Sequence, residues 1–165
     1  MKSFVLIGLS RHRIDVDGAG VTTLVAFHGC PLRCKYCLNP KALSLNGVWK
    51  RFIPEELYNY VKQDDLYFRA TSGGVTFGGG EPLLSCKEIL HFHKICRDNG
   101  HQWKINIETS LNVPLIFVEM LEGIVDHWIV DIKDMNPEIY KAYTGADNRQ
   151  VIENLQRLID NKASV

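Results

Sequence analysis

The chain has 165 residues, of which 45% are hydrophobic and 23% are charged, and these ordinary values exclude wholesale disorder, collagen and a coiled-coil rod. Its 19 basic residues balance 19 acidic ones, so the chain lacks the positive charge that is typical of proteins binding nucleic acid through many phosphates. We therefore expect a single domain over residues 1–165, with no nucleic-acid partner.

The charge is unevenly distributed along the chain. Residues 1–51 carry eight Lys and Arg against two Asp and Glu, whereas the remainder carries eleven against seventeen. The basic third also holds three of the five cysteines, and an odd, clustered set of cysteines is a poor disulfide framework but a plausible ligand set. These features predict a reducing, cytoplasmic location.

The first predicted element is a strand at the N-terminus. Residues 1–13 contain an apolar run of only six residues, with no small-residue cleavage pattern behind it, so a signal peptide is not expected. No longer apolar run is present that would span a membrane, and we expect no membrane partner. The four best strand candidates then follow as apolar, β-branched runs at residues 21–28, 74–77, 104–108 and 127–132.

Helical periodicity separates these strands, over residues 54–63, 85–98 and 114–121, and a last helix is predicted over residues 151–159. Pro54 and Pro114 suit a first helical turn, and Ser85 suits an N-cap. Strands that alternate with helices predict an α/β fold with a parallel sheet. The carboxyl ends of such strands collect on one face, where these sheets bind ligands.

Chemically unusual residues stand at the predicted strand ends. Glycines 79 and 80 would let the backbone approach a ligand closely, and Glu81 could balance a cationic amine. Asp131 and Lys133 share one face of the fourth strand, where they could meet each other or Glu108. A structural ion-pair network is the alternative interpretation of these charges.

The strongest chemical signal is the segment CPLRCKYC, in which Cys30, Cys34 and Cys37 are separated by three and two residues. Three thiolates in one loop favour zinc, copper(I) or an iron–sulfur cluster, and a set of three leaves one metal position open. Histidines 28, 91 and 93 do not stand at a usual zinc-ligand spacing after the cysteines. Zinc and incidental packed thiols are the alternatives to an iron–sulfur cluster.

The C-x3-C-x2-C spacing, with Tyr36 before the last cysteine, resembles the cluster motif of the radical S-adenosylmethionine (SAM) superfamily. Asp17-Gly18, the run FHGCPLRCKYCLNP and the run GGVTFGGGEPLL are similar to the activating enzymes of glycyl radical enzymes, of the pyruvate formate-lyase type. The similarity covers roughly residues 10–145. The resemblance implies a partial, TIM-like barrel of parallel β/α units, and the small number of predicted strands implies a barrel shortened at the C-terminus.

The resemblance implies that Cys30, Cys34 and Cys37 hold a [4Fe-4S] cluster whose fourth iron binds SAM. It also implies SAM contacts from residues at the strand ends and beside the last cysteine: Tyr36, Gly79, Gly80, Glu81, Glu108, Thr109, Asp131 and Lys133. In some members of the family, a monovalent cation also binds near the positions of Glu108 and Asp131. Two positions depart from the usual family pattern, since Gly78 replaces a serine and Glu108 replaces an aspartate.

The implied activity is the reductive cleavage of SAM to a 5′-deoxyadenosyl radical, which removes an α-hydrogen from a glycine of a partner glycyl radical enzyme. A flavodoxin or ferredoxin would supply the electron, and five basic residues could steer such an acidic donor toward the cluster: Arg11, Arg13, Arg33, Lys35 and Lys41. The alternatives are an activase of anaerobic ribonucleotide reductase, a radical enzyme acting on a small molecule, and a zinc or iron–sulfur module without catalysis.

Overall fold

A six-stranded sheet with the order β3-β1-β2-β4-β5-β6 forms the centre of the molecule. The computed structural model describes residues 3–165. The strands are β1 (Phe4–Ile14), β2 (Val21–Phe27), β3 (Lys50–Phe52), β4 (Gly74–Gly79), β5 (Lys104–Thr109) and β6 (His127–Val130). Strands β2, β4, β5 and β6 are parallel, whereas β1 pairs antiparallel with both β2 and β3.

Helices connect and cover these strands: α1 (Pro54–Val61), α2 (Asp65–Thr71), α3 (Cys86–Asp98), α4 (Leu115–Glu119), α5 (Pro137–Thr144) and α6 (Arg149–Asp160). Short 3-10 turns lie before α2, before α3 and in the loop that follows the cysteines. Over residues 3–165, none of the helices combines the length and the apolar character that crossing a membrane requires.

The structure confirms the predicted α/β fold, in which parallel β/α units form part of an open six-stranded sheet. The four predicted parallel strands are present, with ends within two residues of those expected. The predicted N-terminal strand is also present, but it forms a hairpin with β2 and makes the sheet mixed rather than wholly parallel. Strand β3 was not predicted, because three residues are too few to show an alternating pattern.

The four predicted helices correspond to α1, α3, α4 and α6, while α2 and α5 were not predicted. The sequence contains start and stop signals for α5 nonetheless. Asn136 caps its first turn by accepting hydrogen bonds from two main-chain N–H groups, Pro137 occupies its first position, and Gly145 ends it with a φ of 76°. Ser85 occupies the N-cap position of α3 as predicted, but its side chain makes no capping hydrogen bond.

The two faces of the sheet differ in polarity because side chains alternate along each strand. On the helix-covered face, Val25, Phe77, Ile107 and Trp128 stand side by side across four strands and are fully buried. On the opposite face most of the corresponding positions are polar or small, among them Thr76, Gly78 and Asn106. At the carboxyl ends of the strands, this second face borders the chemically unusual residues that were predicted at the strand ends.

Asn154 of α6 holds the loop that follows β5, and its replacement is expected to weaken the fold. Its buried Nδ2 atom donates 2.8 Å hydrogen bonds to the carbonyl oxygens of Leu111 and Val113. Asn154→Ala leaves both carbonyls without that donor, and we expect the free energy of unfolding to fall by about 2 kcal/mol in urea titrations. The exposed Gln156→Ala on the same helix is the control, with an expected loss below about 0.5 kcal/mol. Equal losses in the two variants would contradict this assignment.

Candidate active site

One pocket opens at the carboxyl ends of the parallel strands. Ten of the eleven residues with a predicted site role line it: Cys30, Cys34, Tyr36, Cys37, Gly79, Gly80, Glu108, Thr109, Asp131 and Lys133. The exception is Glu81. Four lining residues were not predicted as site residues: Leu32, Leu38, Asn39 and Ser110. Of these, Asn39 had a usable signal, because it follows the cysteine segment and precedes Pro40 at a turn.

Helix α5 holds the middle of the loop that carries the three cysteines. The main-chain N–H groups of Arg33 and Lys35 donate hydrogen bonds of 2.8 and 2.9 Å to the carbonyl oxygens of Thr144 and Tyr143, at the end of the helix. The ring of Tyr36 also lies 5.7 Å, centre to centre, from that of Tyr143. The α5 terminus therefore fixes the path of the loop through main-chain atoms.

The three thiols of this loop are free and line the same pocket. Burial raises the pKa of Cys30 to about 11. Burial also raises the pKa of Cys34, although the nearby ammonium of Lys133 acts in the opposite direction. Both thiols are therefore protonated at neutral pH, and a metal that binds them must displace their protons.

Two of the three histidines that could supply a fourth zinc ligand, His28 and His91, have other partners. Nε2 of His28 lies 2.9 Å from the carbonyl oxygen of Ser44, and Nε2 of His91 lies 3.4 Å from the carboxylate of Glu55. In the part of the chain that the structure describes, no three His, Cys, Asp or Glu side chains are grouped closely enough to hold a single metal ion.

The glycine turn after β4 lies against the end of β2 and the cysteine loop. The N–H of Gly80 donates a 2.9 Å hydrogen bond to the carbonyl oxygen of Phe27, and Nδ2 of Asn39 donates a 3.1 Å bond to that of Gly79. A Cβ atom on Gly80 would overlap the carbonyl oxygen of Gly29. The close approach of these backbones therefore requires glycine at position 80.

Glu81 is buried beneath the pocket rather than lining it. Its carboxylate is 1% exposed and accepts hydrogen bonds from the N–H of Leu83 (3.3 Å), Oγ1 of Thr109 (2.7 Å), and the N–H (3.1 Å) and Oγ (2.8 Å) of Ser110. Burial raises the pKa of Glu81, while the bonds from Thr109 and Ser110 oppose that rise. Glu81 therefore joins the glycine turn to the end of β5 through hydrogen bonds within the protein.

Charged side chains form the opposite wall of the pocket. Nζ of Lys133 forms an ion pair with the carboxylate of Asp131 and lies 5.9 Å from the ring centre of Tyr36. Glu108 is half-buried beside them. Burial raises the pKa of Glu108, and the negative charges of Asp17 and Asp131 raise it further. The predicted meeting of Asp131 with Lys133 is present, whereas Glu108 makes no hydrogen bond to either of them.

The family model described as the radical SAM superfamily matches residues 24–165. The chain belongs to the radical SAM superfamily.

Two relatives of this radical SAM chain are activating enzymes. It is 36% identical over 137 residues to a pyruvate formate-lyase-activating enzyme of Clostridium pasteurianum, covering 81% of this chain and 55% of that protein. It is 34% identical, over 221 aligned positions, to the (2S)-3-sulfopropanediol dehydratase activating enzyme of Klebsiella oxytoca. That alignment covers 98% of this chain and 69% of that protein. The chain thus spans between about half and two thirds of the length of these relatives.

A crystal structure of a domain of the pyruvate-formate lyase-activating enzyme from Bacteroides vulgatus ATCC 8482 superposes on this radical SAM chain with a TM-score of 0.48. The two sequences are 25% identical, and the superposition covers 55% of each chain.

Membership of the radical SAM superfamily implies a [4Fe-4S] cluster and SAM. The chemistry of the pocket fits both groups. Three free thiols from one loop are the soft ligands that iron–sulfur clusters require. The amino-acid end of SAM carries an ammonium and a carboxylate group, and Glu108 and Lys133 supply one charge of each opposite sign in the same pocket.

Proposed function

We propose that this radical SAM chain is an activating enzyme for a glycyl radical enzyme of the pyruvate formate-lyase type. One observation carries the proposal. The cysteine loop, the turn at Gly79 and Gly80, and the charged residues Glu108 and Lys133 line a single pocket at the strand ends. The similarity to two activating enzymes supports the same conclusion.

When bound, the cluster and SAM would supply the radical chemistry, which is the one-electron reductive cleavage of SAM followed by removal of a hydrogen atom from a glycine α-carbon of the partner. The residues of this chain bind and orient these groups. In the proposal Cys30, Cys34 and Cys37 ligate three irons, and the thiol protons leave when the cluster assembles. The main chain at Gly79 and Gly80 receives the methionine end of SAM.

Lys133 and Tyr36 have a joint role in this proposal. Lys133 is 17% exposed in its side chain, and its hydrogen bond to Asp131 raises its pKa although burial alone would lower it. It therefore stays positively charged and is available to the carboxylate of SAM. Tyr36 borders Lys133 next to the cysteines and forms part of that wall of the pocket.

An acidic electron donor, such as a flavodoxin or a ferredoxin, is the proposed reductant. Two of the five basic residues considered for its docking are held in internal ion pairs, Arg11 with Asp64 and Arg13 with Asp17. The others are exposed in or next to the cysteine loop and supply the positive surface that the proposal requires: Arg33, Lys35 and Lys41.

Anaerobic reconstitution with iron and sulfide tests the proposal. We expect a brown protein that binds roughly four irons per chain and that, once reduced, converts SAM to 5′-deoxyadenosine. Incubation with a glycyl radical lyase or dehydratase is then expected to produce a glycyl radical, detected by electron paramagnetic resonance.

Two outcomes would contradict this function. A colourless protein that takes up zinc and does not cleave SAM would indicate a binding module. A glycyl radical formed only on anaerobic ribonucleotide reductase, and on no lyase or dehydratase, would assign the chain to the other class of activase.

A further inference from the structure

Gly78 and Glu108, the two positions that depart from the usual family pattern, are neighbours in the structure. Phe77 of β4 stands opposite Ile107 of β5, so the next residues along the two strands, Gly78 and Glu108, also stand side by side. Both belong to the polar face of the sheet. A Cβ atom on Gly78 would lie 2.5 Å from Oε2 and 3.2 Å from Cβ of Glu108. The Glu108 carboxylate thus occupies the space that a side chain at position 78 would take.

Glu108 is also the carboxylate that the protein leaves available in the pocket. The pocket is lined by two carboxylates, and that of Asp131 is bound to Lys133. Glu81 is saturated by four hydrogen bonds from the protein. Among residues 3–165, no donor forms a hydrogen bond with Glu108, although burial and two neighbouring carboxylates disfavour its charge. A cation in the pocket would offset both effects.

We propose that Gly78 and Glu108 are a size-matched pair, in which the missing side chain at position 78 sets the place of the Glu108 carboxylate and thereby the affinity of the pocket for SAM. Gly78 is then a positioning residue that acts through Glu108. This inference rests on the proposed function, because it takes SAM as the ligand.

The packing around Gly78 indicates which atoms move when a side chain is added. The nearest atom, Oε2 of Glu108, is the free end of a flexible side chain, and the next contacts, Cβ of Glu108 and Cδ1 of Leu24, lie at 3.2 and 3.3 Å. A new side chain at position 78 therefore displaces the carboxylate more readily than the backbone. Shortening Glu108 by one methylene withdraws the carboxylate from the same space, so the two changes compensate each other sterically.

A double-mutant cycle tests the pair, with SAM binding measured by equilibrium dialysis on the reconstituted, unreduced protein so that no turnover occurs. We expect Gly78→Ser to raise the dissociation constant at least about tenfold, because the displaced carboxylate no longer meets the ligand. Glu108→Asp alone is expected to raise it about tenfold, because the shorter side chain leaves the space beside Gly78 empty and its carboxylate is no longer held in place, whereas a side chain at position 78 would fill that space. The double variant is expected to bind within about threefold of the original protein, rather than about a hundredfold more weakly.

Three comparisons make the result specific. Glu108→Gln keeps the length of the side chain and removes its charge, so it is expected to weaken binding without rescuing Gly78→Ser. Gly123→Ser is the glycine control, since its added Cβ meets no atom within 4 Å, and it is expected to bind SAM normally. Thermal unfolding establishes that each variant is folded, and Gly78→Ala replaces Gly78→Ser if the serine variant is not.

The pair is refuted if the two single effects multiply in the double variant, or if Gly78→Ser binds SAM as well as the original protein does. In those cases the proposed function stands, because the original protein still binds and cleaves SAM. If the original reconstituted protein does not bind SAM at all, both the pair and the proposed function are refuted.

Discussion

Replacing Cys34 with alanine is expected to abolish cluster binding and SAM cleavage together. Cys34 is half-buried between Cys30 and Cys37 in the pocket lining, and its loss leaves two thiols for a cluster that needs three from this loop. We expect the iron content after anaerobic reconstitution to fall from roughly four per chain toward zero. The visible absorbance and the formation of 5′-deoxyadenosine are expected to fall to background.

Cys86→Ala is the matched control for this prediction. Cys86 is buried on α3 away from the pocket, with its Sγ 3.7 Å from Sδ of Met120. Its replacement removes one packed sulfur, for which we expect a stability loss of about 1 kcal/mol and an unchanged iron content. If Cys34→Ala kept its iron, or if Cys86→Ala lost it, the assignment of the three cluster ligands would be wrong.

Replacing Asp64 is expected to cause the largest loss of stability among these variants. The Asp64 carboxylate is fully buried and accepts hydrogen bonds from Arg11, with Nε at 2.9 and 3.0 Å from its two oxygens, and from Oγ1 of Thr23 at 2.7 Å. Nε2 of His12 also lies 3.0 Å from it. Asp64→Ala leaves the Arg11 guanidinium without its partner. Because the Arg11 side chain is partly exposed to solvent, we expect the free energy of unfolding to fall by about 3 kcal/mol.

The pH dependence of stability provides a second measurement on the same residue. Burial alone would raise the pKa of Asp64, but the hydrogen bonds from Arg11 and Thr23 and the charge of Arg11 outweigh burial and lower it. The folded state therefore holds this proton less tightly than the unfolded chain, whose Asp pKa is about 3.9. The stabilisation is present in full above that pH and is lost as the pH falls through the folded-state pKa. Asp64→Ala is expected to lose this part of the acid response.

Asp98→Ala is the control for Asp64, because Asp98 forms an exposed pair with Lys94 on the surface of α3. Exposed pairs of this kind contribute little, so the expected change is below about 0.5 kcal/mol. A similar loss in both variants, or an acid unfolding profile that Asp64→Ala leaves unchanged, would show that the pair of Arg11 with Asp64 does not make the predicted contribution to stability.

The parallel strands and the cysteine loop could be predicted from sequence because each depends on local patterns. Buried strands are apolar runs, and three cysteines within eight residues are recognisable without knowledge of the fold. The hairpin of β1 with β2 and the short β3 could not be predicted in this way. Their pairing depends on contacts between segments far apart in sequence, as in the pairing of Phe4 with Phe52.

Glu81 and Gly78 show why the details of the site needed the structure. The sequence places Glu81 next to two pocket glycines, but nothing local indicates that the hydroxyl groups of Thr109 and Ser110, 28 and 29 residues later, turn its carboxylate inward. Likewise, Gly78 and Glu108 are separate departures from a pattern until the register of β4 and β5 brings them together. A sequence pattern identifies which residues meet at one edge, and the strand register determines which side chains share a space.

Arg33 and Lys35 bind the end of α5 through their main-chain N–H groups, and the Lys35 ammonium also lies 5.6 Å from the ring centre of Tyr143. Proline is the residue that these two positions exclude, because it has no N–H to donate. At position 33 the charge can therefore change while the main-chain bond to Thr144 stays, whereas a change at position 35 also removes the contact of the ammonium with Tyr143. The surface beside the cysteines can thus be altered at position 33 without rebuilding the loop that carries them.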